Sequence, residues 1–367
     1  MVILLEPDRS DHAAVVKAVK RAASRFPGIK IKPYEFSGAS HRFTEVHLVG
    51  RTQGIPTLPF EGIPGVLRVV RVSSKYRIIG RHGAIDSSVG FKANGVFFDD
   101  KHLTLIAGLC AVDTRQHVDL MFKALAQEGL TAARMGVYKP RTSPYDFQGL
   151  GAKCLPYVFE LAGKYGIKIV AMEVVDASQI KEVLAALKKT GKPTQVLFQV
   201  GTRNSQNFEL LKALGKQKMP VLFKRGMGIT LEESLNACEY IASEGNPNIV
   251  FCLRGVKTHL GDPHRNLVDF AHVPVVRRQT RMPVCVDPSH SVGSLRETPD
   301  GIPDVFHATA QGIIAGATSV LVDFHPNPKE ALCDGPQALT FDRLKPFVDY
   351  MTKVRRTYED LAKITVS

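Results

Sequence analysis

Apolar positions change their spacing along this chain, and the change divides it in two. Up to about residue 75, short runs flank a single amphipathic stretch. Val2 to Leu5, Ile29 to Phe36, Thr44 to Val49 and Val66 to Val72 read as strands. Val15, Val16, Val19, Ala22, Ala23 and Phe26 share one helical face, and Pro27-Gly28 ends that helix. Pro56, Pro59 and Pro64 leave little room for a second helix between the last two strands. The pattern predicts a small ferredoxin-like α+β domain over residues 1–75, with a cramped second crossover. Residues 84–99 then carry Val89, Phe91, Val96, Phe97 and Phe98 around Asn94-Gly95, a hairpin signal.

From about residue 100 the chain repeats a strand-then-helix unit. Short apolar runs at 104–108, 132–138, 167–173, 195–200, 220–224, 248–253, 283–287 and 318–324 have the character of strands covered on both faces. Stretches of helical period lie at 114–129, 152–164, 177–190, 205–214, 230–244, 266–280, 304–316 and from about 340. Eight such units predict a (β/α)8 TIM barrel over residues 76–367, with the hairpin at 84–99 closing its amino-terminal end.

Composition narrows the partners. The 367 residues are 44% hydrophobic and 23% charged, as in globular proteins. The net charge of +13 raises nucleic acid or an anionic membrane as a partner. Its cations are scattered, with no run of four consecutive Lys/Arg and no low-complexity tail, so neither is expected. Met1 to Leu5 meets Glu6, Pro7 and Asp8 before an apolar signal region could form, and no stretch approaches the roughly 18 apolar residues of a membrane span. The six cysteines have no CxxC spacing, which predicts reduced thiols in a cytoplasmic protein.

In such a barrel the chemistry sits at the carboxyl ends of the strands. Those ends are polar throughout. Arg134, Lys139, Arg141, Arg203, Lys224 and Arg254 are cations on four of the units, a receptor for substrates with more than one phosphate or carboxylate. Pro140 pushes Lys139 into an extended conformation, which holds Lys139 and Arg141 out beside the Thr142 and Ser143 hydroxyls. Cys110, His290, Asp323 and Asp334 combine thiol, imidazole and two carboxylates, a donor set for a divalent ion such as Mn, Fe, Co or Zn. Taken singly, each of these four reads as well as a buried thiol, a turn residue or a helix cap.

The run Lys139-Pro140-Arg141-Thr142-Ser143-Pro144-Tyr145-Asp146-Phe147-Gln148-Gly149-Leu150-Gly151 resembles a signature of the 3-deoxy-7-phosphoheptulonate (DAHP) synthases. Gly201-Thr202-Arg203-Asn204-Ser205-Gln206-Asn207-Phe208, Pro220-Val221-Leu222-Phe223-Lys224-Arg225-Gly226-Met227, Val286-Asp287-Pro288-Ser289-His290 and Asp334-Gly335-Pro336-Gln337 extend that resemblance over about 103–350. It is similar to type I members whose amino-terminal module serves feedback control by aromatic amino acids. The resemblance implies condensation of phosphoenolpyruvate with erythrose 4-phosphate, the first step of the shikimate pathway to aromatic amino acids, in a homodimer or homotetramer. By the same resemblance the metal ligands fall on Cys110, His290, Asp323 and Asp334. Phosphoenolpyruvate contacts fall on Arg134, Lys139, Arg203, Lys224 and Arg254, and aldose-phosphate contacts on Lys139, Pro140, Arg141, Thr142 and Asp287. Lys139 becomes the proton donor, and Glu173 the carboxylate near the attacking water.

Several positions depart from the family's wording. Gly108-Leu109-Cys110-Ala111-Val112-Asp113 stands for Gly-Pro-Cys-Ser-Val-Glu, and Asp323 for a metal-binding Glu one methylene longer. Leu253, Met135 and Thr202 replace usual Glu, Gly and Ala, and the segments 258–266 and 291–304 are reworded. Such changes leave room for a paralogue that takes a different aldehyde, or for a non-catalytic regulatory one. The octulosonate-phosphate synthases match less well, because their lysine loop is worded differently.

Overall fold

The computed structural model describes residues 1–7, 10–37, 42–72, 76–81, 90–190 and 194–366. Its amino-terminal part runs β1 (Val2–Leu5), α1 (His12–Ala23), β2 (Lys30–Ser37), β3 (Arg42–Val49), α2 (Leu58–Glu61) and β4 (Val66–Val70). The four strands form one antiparallel sheet in the order β2-β3-β1-β4. With Pro59 in its first turn, α2 is a single turn, as the prolines predicted. Strand alternation sorts the two faces. Ile3, Leu5, Val46 and Leu48 pack with Val15, Val19 and Phe60, whereas Glu45, one position out of phase with Val46, meets Arg281 from the later part of the chain.

The hairpin comes next, as β5 (Gly90–Ala93) and β6 (Val96–Asp99), turned by Asn94 and Gly95 at φ 44° and 87°. Both residues sit in the left-handed region that a two-residue hairpin turn requires. Val89 and the rest of the expected segment 84–89 lie outside the described residues.

The remaining chain is β7 (Thr104–Leu109), α3 (Arg115–Gln127), β8 (Ala132–Met135), α4 (Leu155–Lys164), β9 (Ile169–Val174), α5 (Ala177–Thr190), β10 (Gln195–Val200), α6 (Phe208–Gly215) and β11 (Val221–Lys224), then α7 (Leu231–Ser243), β12 (Ile249–Leu253), α8 (Val273–Gln279), β13 (Val284–Val286), α9 (Pro288–Val292), α10 (Asp304–Ile314), β14 (Ser319–Asp323) and α11 (Leu344–Val366). Strands β7 to β14 are parallel neighbours that close into an eight-stranded barrel. Their outward residues, such as Leu105, Ala107 and Leu109, pack against Val118, Met121, Phe122 and Leu125 of the surrounding helices. Their inward residues Ile106, Ala132, Ile169, Leu197, Leu222, Val250, Cys285 and Leu321 form a separate core with Phe91, Ala93, Val96 and Phe98 of the hairpin. The hairpin plugs the amino-terminal end, as the sequence predicted. Among the described residues no helix is long and apolar enough to cross a membrane, and all six cysteines are free.

Two elements are shorter than expected. The strand at 132–138 stops at Met135 because Gly136 passes close to the preceding unit, where a Cβ would lie 1.9 Å from the Cys110 carbonyl oxygen. Of the helix at 266–280 only Val273–Gln279 forms, after a turn of 3-10 helix at Phe270–His272. Asp269 is withdrawn from it: one carboxylate oxygen accepts from Gly255 N (2.8 Å) and the other from Arg225 (2.5 Å), which pins the segment to the end of β12.

The small sheet docks through charge as well as apolar contact. Arg281 donates to both Glu45 oxygens, at 2.5 and 3.2 Å, and to the Ile78 carbonyl, and His47 Nε2 lies 2.9 Å from Glu45. Burial alone would raise the Glu45 carboxyl, but the Arg281 charge and the bond with His47 outweigh it and hold the pKa at about 2. A depressed carboxyl contributes stability above its ordinary value of 4.5 and loses it as pH falls toward 2. Glu45→Gln is therefore expected to cost about 3 kcal/mol at neutral pH, by stranding Arg281, and about half of that at pH 3. Urea unfolding of both forms at the two pH values measures this; an equal penalty at both would contradict the linkage.

Candidate active site

The inward face of the barrel changes character part-way up. Above Ile106 come Gly108 and Cys110; above Ala132 comes Arg134; above Ile169 and Ala171 comes Glu173. Leu197 is followed by Gln199, Leu222 by Lys224, Val250 and Cys252 by Arg254, Cys285 by Asp287, and Leu321 by Asp323. Because inward positions recur every second residue, one register places an apolar floor below and a ring of charged groups above.

A cavity of about 160 Å³ opens over that ring. Of the residues singled out in the sequence, Lys139, Pro140, Arg141, Thr142, Glu173, Arg203, Lys224, Arg254, His290 and Asp334 line it. Arg134, Asp287, Cys110 and Asp323 are buried in or beside its base rather than forming its wall.

The base is a set of buried ion pairs. Asp287 accepts from Lys224 Nζ at 2.6 Å with one oxygen, and with the other from His290 N at 3.1 Å and Nδ1 at 3.0 Å. Both of its oxygens are engaged within the protein. Asp323 pairs with Arg134 through Oδ1 and accepts from Gln337 Nε2 at 2.6 Å through Oδ2. Arg134 Nε has no partner among the described residues. Burial disfavours the His290 imidazolium, but Asp287 and Asp323 outweigh it and raise its pKa to about 10. Lys139 Nζ lies 3.2 Å from Cys110 Sγ. Its burial disfavours the ammonium, yet Cys110, Cys333 and Glu173 hold its pKa above the ordinary lysine value. Glu173 is steadied by Gln199 Nε2 at 3.1 Å, and Gly201 lies so close that a Cβ there would come within 1.8 Å of Glu173 Oε1.

Cations form the upper wall. Arg203 donates to Thr142 Oγ1 at 3.2 Å, and Arg141 pairs with Asp146 at 3.2 Å while its other terminal nitrogen is buried without a partner among the described residues. Arg254 is only 4% exposed, yet it makes no hydrogen bond or ion pair among the described residues. Burial lowers its pKa. A guanidinium in that position is a charge waiting for an anion.

Three of the four expected metal donors converge on one point. Around Asp334 Oδ2 stand Cys110 Sγ at 3.2 Å and His290 Nε2 at 3.5 Å, with Cys110 Sγ 3.7 Å from His290 Nε2. Metal–ligand bonds of about 2.0–2.3 Å put neighbouring donors about 3.3–3.7 Å apart around a tetrahedral ion, so these three fit one. Asp323 joins Cys110 and His290 in a second group, whose donor atoms lie within 4.8 Å of one another.

Three neighbours escaped the sequence reading. Arg265, in the reworded loop 258–266, donates to Asp334 Oδ1 and to Gln337 at 3.0 Å each. Gln337 closes the Asp-Gly-Pro-Gln run, and Cys333 immediately precedes Asp334; both signals were adjacency alone. Cys333 makes a hydrogen bond with Cys110 that pushes the Cys110 thiol up and the Cys333 thiol down. A further group, Asp113, His117 and His325, ties the loop after β7 to the loop after β14. His325 Nδ1 accepts from Asn327 N at 3.1 Å, so Nε2 carries the proton and donates to Asp113 at 2.7 Å. That network is closed without an ion.

Known proteins resemble this chain in sequence and in fold. The chain is 35% identical to a phospho-2-dehydro-3-deoxyheptonate aldolase of Thermotoga maritima, over 96% of this chain and 97% of the relative. It is 29% identical to a 2-dehydro-3-deoxyphosphooctonate aldolase of Bradyrhizobium sp. (strain BTAi1), over 73% of this chain and 92% of that one. The crystal structure of the Thermotoga maritima DAHP synthase superposes with a TM-score of 0.70 at 33% identity, covering 97% of both chains. A truncated 3-deoxy-D-arabino-heptulosonate 7-phosphate synthase from the same organism covers 77% of this chain and 98% of its own, with a TM-score of 0.66 at 32% identity. The family model described as the DAHP synthetase I family matches residues 87–359, most of the barrel and the whole ring of charged groups. This chain belongs to the DAHP synthetase I family.

Proposed function

We propose that this chain condenses phosphoenolpyruvate with erythrose 4-phosphate, giving 3-deoxy-7-phosphoheptulonate and inorganic phosphate, the entry reaction of the shikimate pathway. The observation that carries the reading is Arg254: permanently charged, buried, unpartnered among the described residues, and facing a cavity shared with Lys139, Arg203 and Lys224. Those groups, with Arg134 beneath, are assigned to the phosphate and carboxylate of phosphoenolpyruvate. Pro140, Arg141 and Thr142 are assigned to the aldose phosphate. Asp287 acts by holding Lys224 and His290, whose bonds occupy both of its oxygens.

Two anions must meet for the reaction, and fixed cations offset their repulsion while aligning them. C3 of the enol attacks the aldehyde carbon, forming the C–C bond. Lys139 donates a proton to the aldehyde oxygen as it becomes the hydroxyl. Water adds to C2 of phosphoenolpyruvate, its proton passing to Glu173, and the C2–O bond to phosphate breaks. A divalent ion held by Cys110, His290 and Asp334 would supply Lewis-acid polarisation of the aldehyde. The donor chemistry suits Mn, Fe, Co or Zn.

Residues 1–75 are read as a ferredoxin-like regulatory domain and 76–367 as the catalytic barrel. The β2-β3-β1-β4 order and the separate apolar core of the sheet support that division. An aromatic amino acid as effector and a homodimeric or homotetrameric state belong to the same proposal. The octulosonate relatives keep a second aldehyde in view. The Lys139-Pro140-Arg141-Thr142 loop, and the higher identity to the heptulosonate enzyme over a longer span, favour erythrose 4-phosphate.

Phosphate release from phosphoenolpyruvate with erythrose 4-phosphate is expected to need a divalent ion and to stop on chelation. An aldose-phosphate panel checks specificity, and preference for a pentose phosphate would overturn the assignment. Lys139→Met is expected to lower kcat about 10³-fold with the fold retained, as judged by circular dichroism. Arg254→Met separates binding from stability. It should raise the KM for phosphoenolpyruvate about 100-fold yet raise the Tm of the ligand-free protein, because it removes a buried charge that lacks a partner. A lower Tm would show that Arg254 is compensated within the fold.

A further inference from the structure

We propose that Cys333 is a second thiolate ligand of the metal site and fills the coordination position that the shortened Asp323 leaves. The inference rests on the reading above that a divalent ion binds at Cys110, His290 and Asp334.

Asp323 is on the wrong side of the imidazole. Its Oδ2 approaches His290 Nδ1, at 3.6 Å, and that nitrogen already bonds Asp287 at 3.0 Å. Cys110 and Asp334 stand instead at Nε2. One ring cannot present both nitrogens to a single ion. Asp323 is also fully committed, with Arg134 on one oxygen and Gln337 on the other at 2.6 Å. Pulling it toward Nε2 would strand Arg134, a buried cation, at a cost of several kcal/mol.

Cys333 has the opposite relationship. Its Sγ lies 3.3 Å from Asp334 Oδ2, the oxygen that Cys110 Sγ approaches at 3.2 Å and His290 Nε2 at 3.5 Å. The donor atoms of Cys110, Cys333 and Asp334 all fall within 4.8 Å of one another. Asp334 adopts φ 55°, a left-handed conformation uncommon for a side-chain-bearing residue, at the turn from which both Cys333 and Asp334 reach the cavity. Charge is balanced as well. Two thiolates and one carboxylate on a divalent ion leave a net charge of −1, and Lys139, 3.2 Å from Cys110, and Arg265, 3.0 Å from Asp334, stand against it. The competing reading is that Cys333 is a small buried residue that merely packs on Cys110.

The two readings differ in ligand chemistry. Two sulfurs, one nitrogen and one oxygen form a soft set that favours Zn, Co or Fe over Mn. Cobalt(II) titrated into the reduced, metal-free protein reports this directly through thiolate-to-cobalt charge-transfer absorption. Cys333→Ser and Cys110→Ser are each expected to lose about half of the band. Cys333→Ser should also bind zinc at least about tenfold more weakly while its manganese affinity changes little. X-ray absorption on the zinc-loaded unmodified protein, which needs no variant to fold, should find two sulfur neighbours at about 2.3 Å. A full band in Cys333→Ser, or one sulfur at zinc, would overturn the assignment of Cys333 and leave the synthase reading intact. Failure of the unmodified protein to bind cobalt or zinc at all would overturn the metal reading itself, and this inference with it.

Discussion

A closed barrel of eight parallel strands admits only every second residue of each strand to its interior, and that constraint governs the rest of this structure. The interior is short, so each strand contributes one or two residues to an apolar floor and then one to the layer above. Here the upper layer is charged: Arg134, Glu173, Lys224, Arg254, Asp287 and Asp323 all share the register of the floor residues beneath them. Shifting any strand by one residue would turn its charged group out among the helices and an outward apolar side chain into the cavity. Fold and site are thus fixed by the same register.

Concentrating charge inside a barrel opposes folding unless the charges are paired. The pairing is uneven. Arg134 and Lys224 are held by Asp323 and Asp287, so the base of the site is close to neutral and rigid. Arg254 and part of Arg141 are left open to the cavity. Of the cations assigned to substrate, Arg134 and Lys224 therefore enter the site already paired, whereas Arg254 has no carboxylate partner among the described residues. An anionic substrate entering this cavity would supply the charge that the free protein lacks, coupling binding to local order.

The small amino-terminal sheet meets the opposite end of the same machinery. Arg281, its buried ionic anchor, precedes β13, and β13 leads within a few residues to Asp287 and His290. Glu239, on α7, accepts from the backbone N–H groups of Arg77, Ile78 and Ile79, which fixes the segment joining the two parts against the barrel. The contact between sheet and barrel and the metal-capable cluster therefore lie at the two ends of one short strand.

Much of this was legible in the sequence, because it depends on period and chain direction. Short apolar runs alternating with helical stretches gave the barrel, and Asn94-Gly95 gave the hairpin plug. Reading which side chains follow each strand pointed to a ring of cations and to the cluster of Cys110, His290, Asp323 and Asp334. What the sequence could not supply was partnership across strands. Lys224 and Arg254 look alike as strand-end cations, but one lies 2.6 Å from Asp287 and the other has no partner among the described residues, a difference set by neighbours far away in the chain. Cys333 read as an ordinary thiol until the turn at Asp334 carried it toward Cys110, and the pairing of Asp323 with Arg134 is likewise a contact between separate strands. Residue order determines which groups reach the mouth of the barrel. Only closure of the barrel decides which of them neutralise one another and which remain free to act.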